Sequence, residues 1–192
     1  MIPEREYRFH FLGGRPSLDF VATVGERWRR NFERLRAPAD LGRWFVEEGL
    51  LASAPPVTGG ELESARELRE AIFRIARLAG KGTPDPADVA VLNAWAARPA
   101  LAPQLDGAGR ALAWQGSAAN ALATLARDAA DLVTGPYAQR VRQCAADDCA
   151  LMFVDTSRPG QRRWCSMDLC GNRSKTQSYR RRRSDQPTEE QR

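Results

Sequence analysis

Histidine is almost missing from this chain: His10 is the only one in 192 residues. A lone histidine is more often a satisfied structural residue than a base or a ligand, and only Glu4 and Glu6 lie near it as acids. Ser-His-Asp, phosphate-loop and dinucleotide fingerprints are also missing, and Gly13-Gly14 lacks the further glycines that a phosphate loop needs. The expectation is therefore a protein that is not an enzyme. No run approaches the roughly 18 apolar residues of a membrane span. The opening Met1-Ile2-Pro3-Glu4-Arg5-Glu6 is charged and has no apolar stretch of the signal-peptide kind. Together these lead us to expect a soluble, cytoplasmic chain without a membrane partner. Lysine occurs only at 81 and 175, so the basic charge is almost all arginine.

Cysteine is scarce but concentrated. Cys144, Cys149, Cys165 and Cys170 are the full complement, spaced as two C-x4-C pairs with fifteen residues between them. Two close pairs and a short spacer suit a tetrahedral site, where one Zn2+ takes four thiolates at about 2.3 Å and keeps no open position. Such a site is structural. Two disulfides would suit a secreted chain, and a redox pair would want C-x-x-C beside a βαβ unit. Neither context is present, which leaves buried free thiols as the alternative to one zinc per chain.

The charge follows the cysteines. Residues 140–183 hold eleven Arg or Lys against four Asp, a net of +7, whereas residues 1–139 sum to zero and the tail from Ser184 to −2. Localised basic charge is the footprint of a polyanion partner. Scattered surface arginine, the plainer reading, explains this asymmetry poorly.

The neutral part reads as mainly helical. Tyr7 to Leu12 alternates loosely and suggests a short strand. Ser17 is the candidate cap of a helix with Leu18 and Val21 on its apolar face. Asp40 to Leu51 forms a second helix, capped by Asp40, with Leu41, Trp44 and Phe45 on one face. From Glu61 to Ala79, Leu62, Ala65, Leu68, Ile72, Ile75 and Leu78 recur at three or four residues, which predicts a long amphipathic helix. Another helix begins near Pro84 to Pro86, Arg110 to Trp114 alternates as a strand, and Ser117 to Val133 is the last helix. There is no internal repeat. In the basic part, Ala150 to Asp155 reads as a strand, Ser157 to Gly160 as a turn, and Gln161 to Trp164 as the return strand of a hairpin. A helix is expected from about Cys170. The module has only about 45 residues, too few for a sufficient apolar core, so zinc supplies much of its folding free energy. Met152, Phe153 and Trp164 are the candidate core around the metal.

The segment Arg162-Arg163-Trp164-Cys165-Ser166-Met167, followed by Cys170-Gly171-Asn172-Arg173, resembles the CGNR zinc-finger family. Upstream, Gly13-Gly14-Arg15, Leu18-Asp19-Phe20-Val21 and Leu68-Arg69-Glu70-Ala71-Ile72 are similar to the ABATE domain that precedes the finger in that family. The resemblance implies a stress-responsive transcription regulator. One departure stands out: Ala22 sits where the family usually has Asn, so any role of that Asn is in doubt here. The resulting expectation is a mainly α protein with short β elements. It comprises an ABATE-like helical domain at 1–138, a treble-clef-like zinc finger of β-hairpin and helix at 139–183, and a disordered tail at 184–192. Gly171 is expected to permit close backbone approach, with its N–H on a thiolate, and Asn172 to cap or bridge the knuckle. Duplex DNA is the expected partner, met by Arg162, Arg163, Arg173, Lys175, Arg180, Arg181, Arg182 and Arg183. For the last four, nonspecific phosphate contact or plain solvation serves as well as base reading. Arg15 and Asp19 mark a candidate small-molecule effector site, with an ordinary surface or capping pair as the alternative. One finger offers little reading surface, so a homodimer or partner protein is expected to complete specificity. The rival function is a protein-interaction adaptor that docks an acidic surface without touching DNA.

Overall fold

The computed structural model describes residues 2–176. Helix α3 (Gly59–Leu78) lies at its centre and packs against α1 (Pro16–Val21), α4 (Pro86–Ala96) and α5 (Ala118–Thr134), with α2 (Pro38–Glu47) alongside. The start of α3 is fixed by a reciprocal cap: Thr58 Oγ1 accepts from the Glu61 N–H, and the Glu61 carboxylate accepts from the Thr58 N–H at 2.8 Å. Ser117 and Asn120 repeat this device at α5, and Asp85 caps α4. Each cap satisfies backbone donors that would otherwise lack a partner, worth about 1 kcal/mol. The predicted stripe of α3 is buried at Leu62, Ala65, Leu68, Ile72 and Ile75, and meets Leu122, Leu125 and Leu132 of α5 in one core. Trp44 fills the other end of that core, its ring centroid 5.1 Å from Phe20 and 5.8 Å from Phe45.

Three helix ends and one strand differ from the sequence expectation. Ser17 does not cap α1. Pro16 takes the first helical position, where its missing N–H costs nothing, and the Ser17 N–H donates instead to Asp128 Oδ2 of α5. Asp40 is likewise inside its helix, at the third position, and reaches back to accept from the Arg36 and Ala37 N–H groups. The helix stops at Glu47, four residues short of Leu51, because Gly49 turns the chain at φ 78° and the Leu50 and Leu51 amides fold back onto the Phe45 carbonyl. Tyr7 to Leu12 is not a strand. A 3-10 turn covers Glu4–Tyr7, and the following residues are irregular, with Phe9 anchored in the core rather than paired in a ladder.

The strands occur in three antiparallel pairs. β1 (Val24–Gly25) and β2 (Phe32–Glu33) form a tight excursion that Arg69 ties to α3: its guanidinium reaches Thr23 Oγ1 and both oxygens of Glu33, and bonds Glu70 as well. β4 (Leu112–Gln115) confirms the strand expected near Arg110 to Trp114, and pairs with β3 (Ala102–Leu105), which the sequence reading missed. Pro103 argues against a strand in general, but a two-stranded ribbon has outward edges that tolerate it.

The third pair is the base of the cysteine-bearing segment. β6 (Met152–Val154) lies within the strand expected at Ala150 to Asp155, but its partner is β5 (Val141–Gln143), before the first cysteine. Gln161 to Trp164 is irregular, so it is not the return strand. The fully buried Asp155 explains why: its carboxylate accepts from the Ser157 N–H and hydroxyl and from the Arg162 N–H, which curls 155–162 into a loop. The two parts of the chain are joined through β6. The Val154 N–H donates to the Gly13 carbonyl, and Val141, Met152 and Val154 are buried in the helical core. Ala22 and Leu12 pack in return against the cysteine cluster.

Candidate metal centre

Each cysteine is held by its own piece of backbone. Cys144 extends β5, its N–H donating to the Leu151 carbonyl, and the next amide, of Ala145, donates to Arg163 O. Cys149 closes a turn on the Ala146 carbonyl. Cys165 ends the irregular segment, and Cys170 sits in a wide helical turn, Met167–Gly171, that Ser166 caps. Residues 172–176 continue that turn as α-helix. The helix thus begins before Cys170 and carries the ligand within it.

The four sulfurs converge so that all lie within 4.8 Å of one another. Cys149 Sγ is 3.9 Å from Cys165 Sγ, which is 3.7 Å from Cys170 Sγ. Tetrahedral zinc with bonds of about 2.3 Å needs sulfurs roughly 3.8 Å apart, so the donor set fits one structural zinc ion and fills its coordination. The crowding is electrostatically strained for the bare thiols. Cys149 is pushed up to about 12 by its hydrogen bonding with Cys144, and Cys170 is pushed upward by burial. Cys144 is pulled down because it accepts from Cys149 and Cys165. A divalent cation at the centre favours the thiolate at all four.

The shell around the cluster differs in part from expectation. Phe153 is fully buried against the cysteines with Leu151, and Trp164 packs beside them. Met152 belongs to the helical core instead, because successive residues of a strand face opposite ways. The Gly171 N–H donates to Ser166 O rather than to a sulfur. Asn172 turns its amide back to Asp168 O, inside its own helix, and does not bridge the knuckle.

Among the expected DNA contacts, Arg162, Arg163, Arg173 and Lys175 are exposed. Arg162 stacks over Phe153 at 4.8 Å and also donates to Cys165 O, and Arg163 lies over Trp164 at 5.1 Å. Arg173 is engaged at the cysteine cluster: Nη2 is 3.3 Å from Cys170 Sγ and 2.9 Å from Asp148. Arg180 to Arg183 and the 184–192 tail lie outside the described residues. In the helical part, Arg15 clamps α1 to α5 through Asp128 at 2.8 Å and Asp131 at 2.6 Å. Asp19 is buried and accepts from the Gly13 N–H at 2.7 Å. Burial pushes Asp19 up to about 6. The two side chains do not pair with each other.

The sequence reading missed Arg34 and Asp155. Arg34 is buried at the seam between the helical part and the cysteine segment, bonded to the carbonyls of Glu6 and Ala22. Arginine is seldom buried, and its acceptors come together only in the fold, so no local signal marks it. Among the described residues no helix is long and apolar enough to cross a membrane.

Comparison with known families agrees with this architecture. A family model named ABATE, with the description "Putative stress-induced transcription regulator", matches residues 14–136. A second, "CGNR zinc finger", matches residues 140–183. A search of curated proteins finds no match.

Proposed function

We propose that this chain, which belongs to the ABATE family and carries a CGNR zinc finger at residues 140–183, regulates transcription by binding duplex DNA through that finger. The observation that supports this most is the concentration of a +7 net charge in residues 140–183 beside 139 residues of zero net charge. Zinc fixes the scaffold, and Arg162, Arg163 and Lys175 present charge from it to solvent. The Arg180 to Arg183 run extends the same charge along the chain. Arg140 and Arg142 contribute differently, since their guanidinium groups hold the carbonyls of Ser157 and Gly160. Arg173 acts chiefly on the metal and Asp148, so its substitution loosens the finger before it alters any base preference. An effector acting through the ABATE domain and a homodimer that doubles the reading surface complete the proposal.

The test is binding of zinc-loaded protein to a mixed pool of DNA duplexes at low salt. If four to six phosphates are neutralised, log affinity falls with log salt at a slope of roughly −4 to −5. Removing residues 180–183 weakens all sequences alike and flattens the slope. No binding at low salt sinks the DNA reading and leaves the adaptor, whose partner would be an acidic protein surface.

A further inference from the structure

A cleft of about 430 Å³ lies between the finger and the N-terminal residues of the helical part. Leu151 and Leu169 line it from the finger, and Leu12, His10, Phe32 and Arg34 from the other side. One corner is the cysteine cluster itself. Most of the charges on its walls are neutralised within the protein. Glu26 is taken by Arg30, and Asp148 by Arg173.

Arg34 differs from these. It is 5% exposed, and its Nε and Nη1 each donate at 2.9 Å to a neutral carbonyl, Glu6 O and Ala22 O. Among the described residues it has no carboxylate partner, and its Nη2 has no acceptor. A buried guanidinium with no hydrogen-bonded carboxylate is costly, and burial has pulled this one down to about 10 despite the through-space charge of Glu6. Cys149 of the cluster also acts on Arg34 through space, while Arg173 donates to Cys170 Sγ of the same cluster. His10 beside it is kept neutral by burial and then by the Arg34 charge, and it too makes no hydrogen bond among the described residues. Leu12, Phe32, Leu151 and Leu169 give the cleft an apolar wall, and the exposed Arg5 and Arg8 share its lining.

We propose that this cleft binds a small organic carboxylate, its carboxylate on Arg34 and His10 and its apolar body against Phe32, Leu12 and Leu151. A monoanion with an apolar body fits better than a phosphate dianion, because Leu12, Phe32 and Leu151 stand beside Arg34, whose Nη2 offers its two N–H groups, and the Glu6 and Glu26 carboxylates share the lining. The ligand would touch the finger and the helical part together and so fix one against the other. Only this regulatory consequence rests on the proposed DNA function; the binding itself does not.

Benzoate is a suitable probe, with benzamide as its uncharged counterpart, titrated calorimetrically into zinc-loaded full-length protein without DNA. One benzoate per chain should bind, and benzamide and inorganic phosphate should not compete for the site. Arg34→Lys keeps the charge but loses the fork, and should weaken benzoate about tenfold or more. Leu169→Glu, at an exposed wall position, should weaken it in the same direction by repulsion, with folding and zinc content unchanged. Absence of benzoate binding by folded, zinc-loaded protein would overturn the proposal. So would equal binding of benzamide, displacement by phosphate, or unchanged affinity in both variants. If Arg34→Lys loses zinc while the unaltered protein ignores benzoate, Arg34 is a counter-ion of the metal and nothing more. DNA binding is not measured here, so failure of either reading leaves the other standing.

Discussion

Asp155, fully buried, and Glu48, half-buried, show how differently two carboxyls can be treated. Burial alone would push Asp155 up, but hydrogen bonds from Ser157 and the Arg162 N–H hold it below the usual carboxylate range. Asp155→Ala leaves three donors unsatisfied in a closed site, and should cost about 3 kcal/mol in urea unfolding and make zinc easier to chelate. A loss of a few tenths would show that the loop forms without it. Glu48 has no such donors among the described residues, and burial first, then the charges of Asp19 and Asp128, push it up to about 8. A carboxyl raised above its ordinary value adds stability that is fully present below pH about 4.5 and lost as pH rises through about 8. Glu48→Gln should therefore flatten the stability profile between pH about 4.5 and 8 and stabilise the protein at the alkaline end by about 1 kcal/mol. The full linkage value does not apply, because the carboxyl keeps partial contact with water. Superimposable profiles for the two proteins would exclude this account.

Strand β6 is three residues long and serves two cores. Phe153 faces the cysteines, while Met152 and Val154 face the helices, as the alternation of a strand dictates. Phe153→Ala should cost about 3–5 kcal/mol and raise sensitivity to a zinc chelator. Met152→Ala should cost about 2–5 kcal/mol and lower helical melting, with the smaller effect on zinc release. A reversed pattern would mean that the faces are assigned wrongly. The same strand marks the limit of what could be read in advance. The long helices were legible because Leu62 through Ile75 repeat locally, and the cysteines because ligand spacing is local too. The partner of β6 was not, since Val141-Arg142-Gln143 is short, carries no apolar alternation, and pairs across the whole first cysteine loop. Arg15 and Asp19 were visible as charges near glycines, but Arg15's task depends on Asp128, which only the packing of α1 on α5 brings near, and Asp19's on how the chain turns from Gly13 into α1. The clamp of Arg69 on Glu33 was hidden for the same reason.

Across the whole molecule, the finger and the helical part share more than a linker. Val141, Met152 and Val154 belong to the metal-held segment by sequence and to the helical core by packing, and the Val154 N–H bonds Gly13 O. Burying one such side chain contributes about 1.5–3 kcal/mol, so the three together contribute on the order of 5 kcal/mol. A domain's entire stability is about 5–15 kcal/mol. Zinc removal releases the cysteine loops that hold β5 and β6 in place, and its effect should therefore reach helices far from any sulfur. For a chain of this size about 1 kcal/mol moves the midpoint by roughly 2–4 °C, so the helical melting temperature should fall by roughly 10–20 °C. The measurement is thermal melting followed by helical circular dichroism, with and without a strong chelator. Cys144→Ser serves as a control that removes the site without the reagent. Zinc-loaded protein should melt in one transition. Two separate transitions, or a helical midpoint indifferent to both treatments, would mean that the finger rests on the helical domain without supporting it.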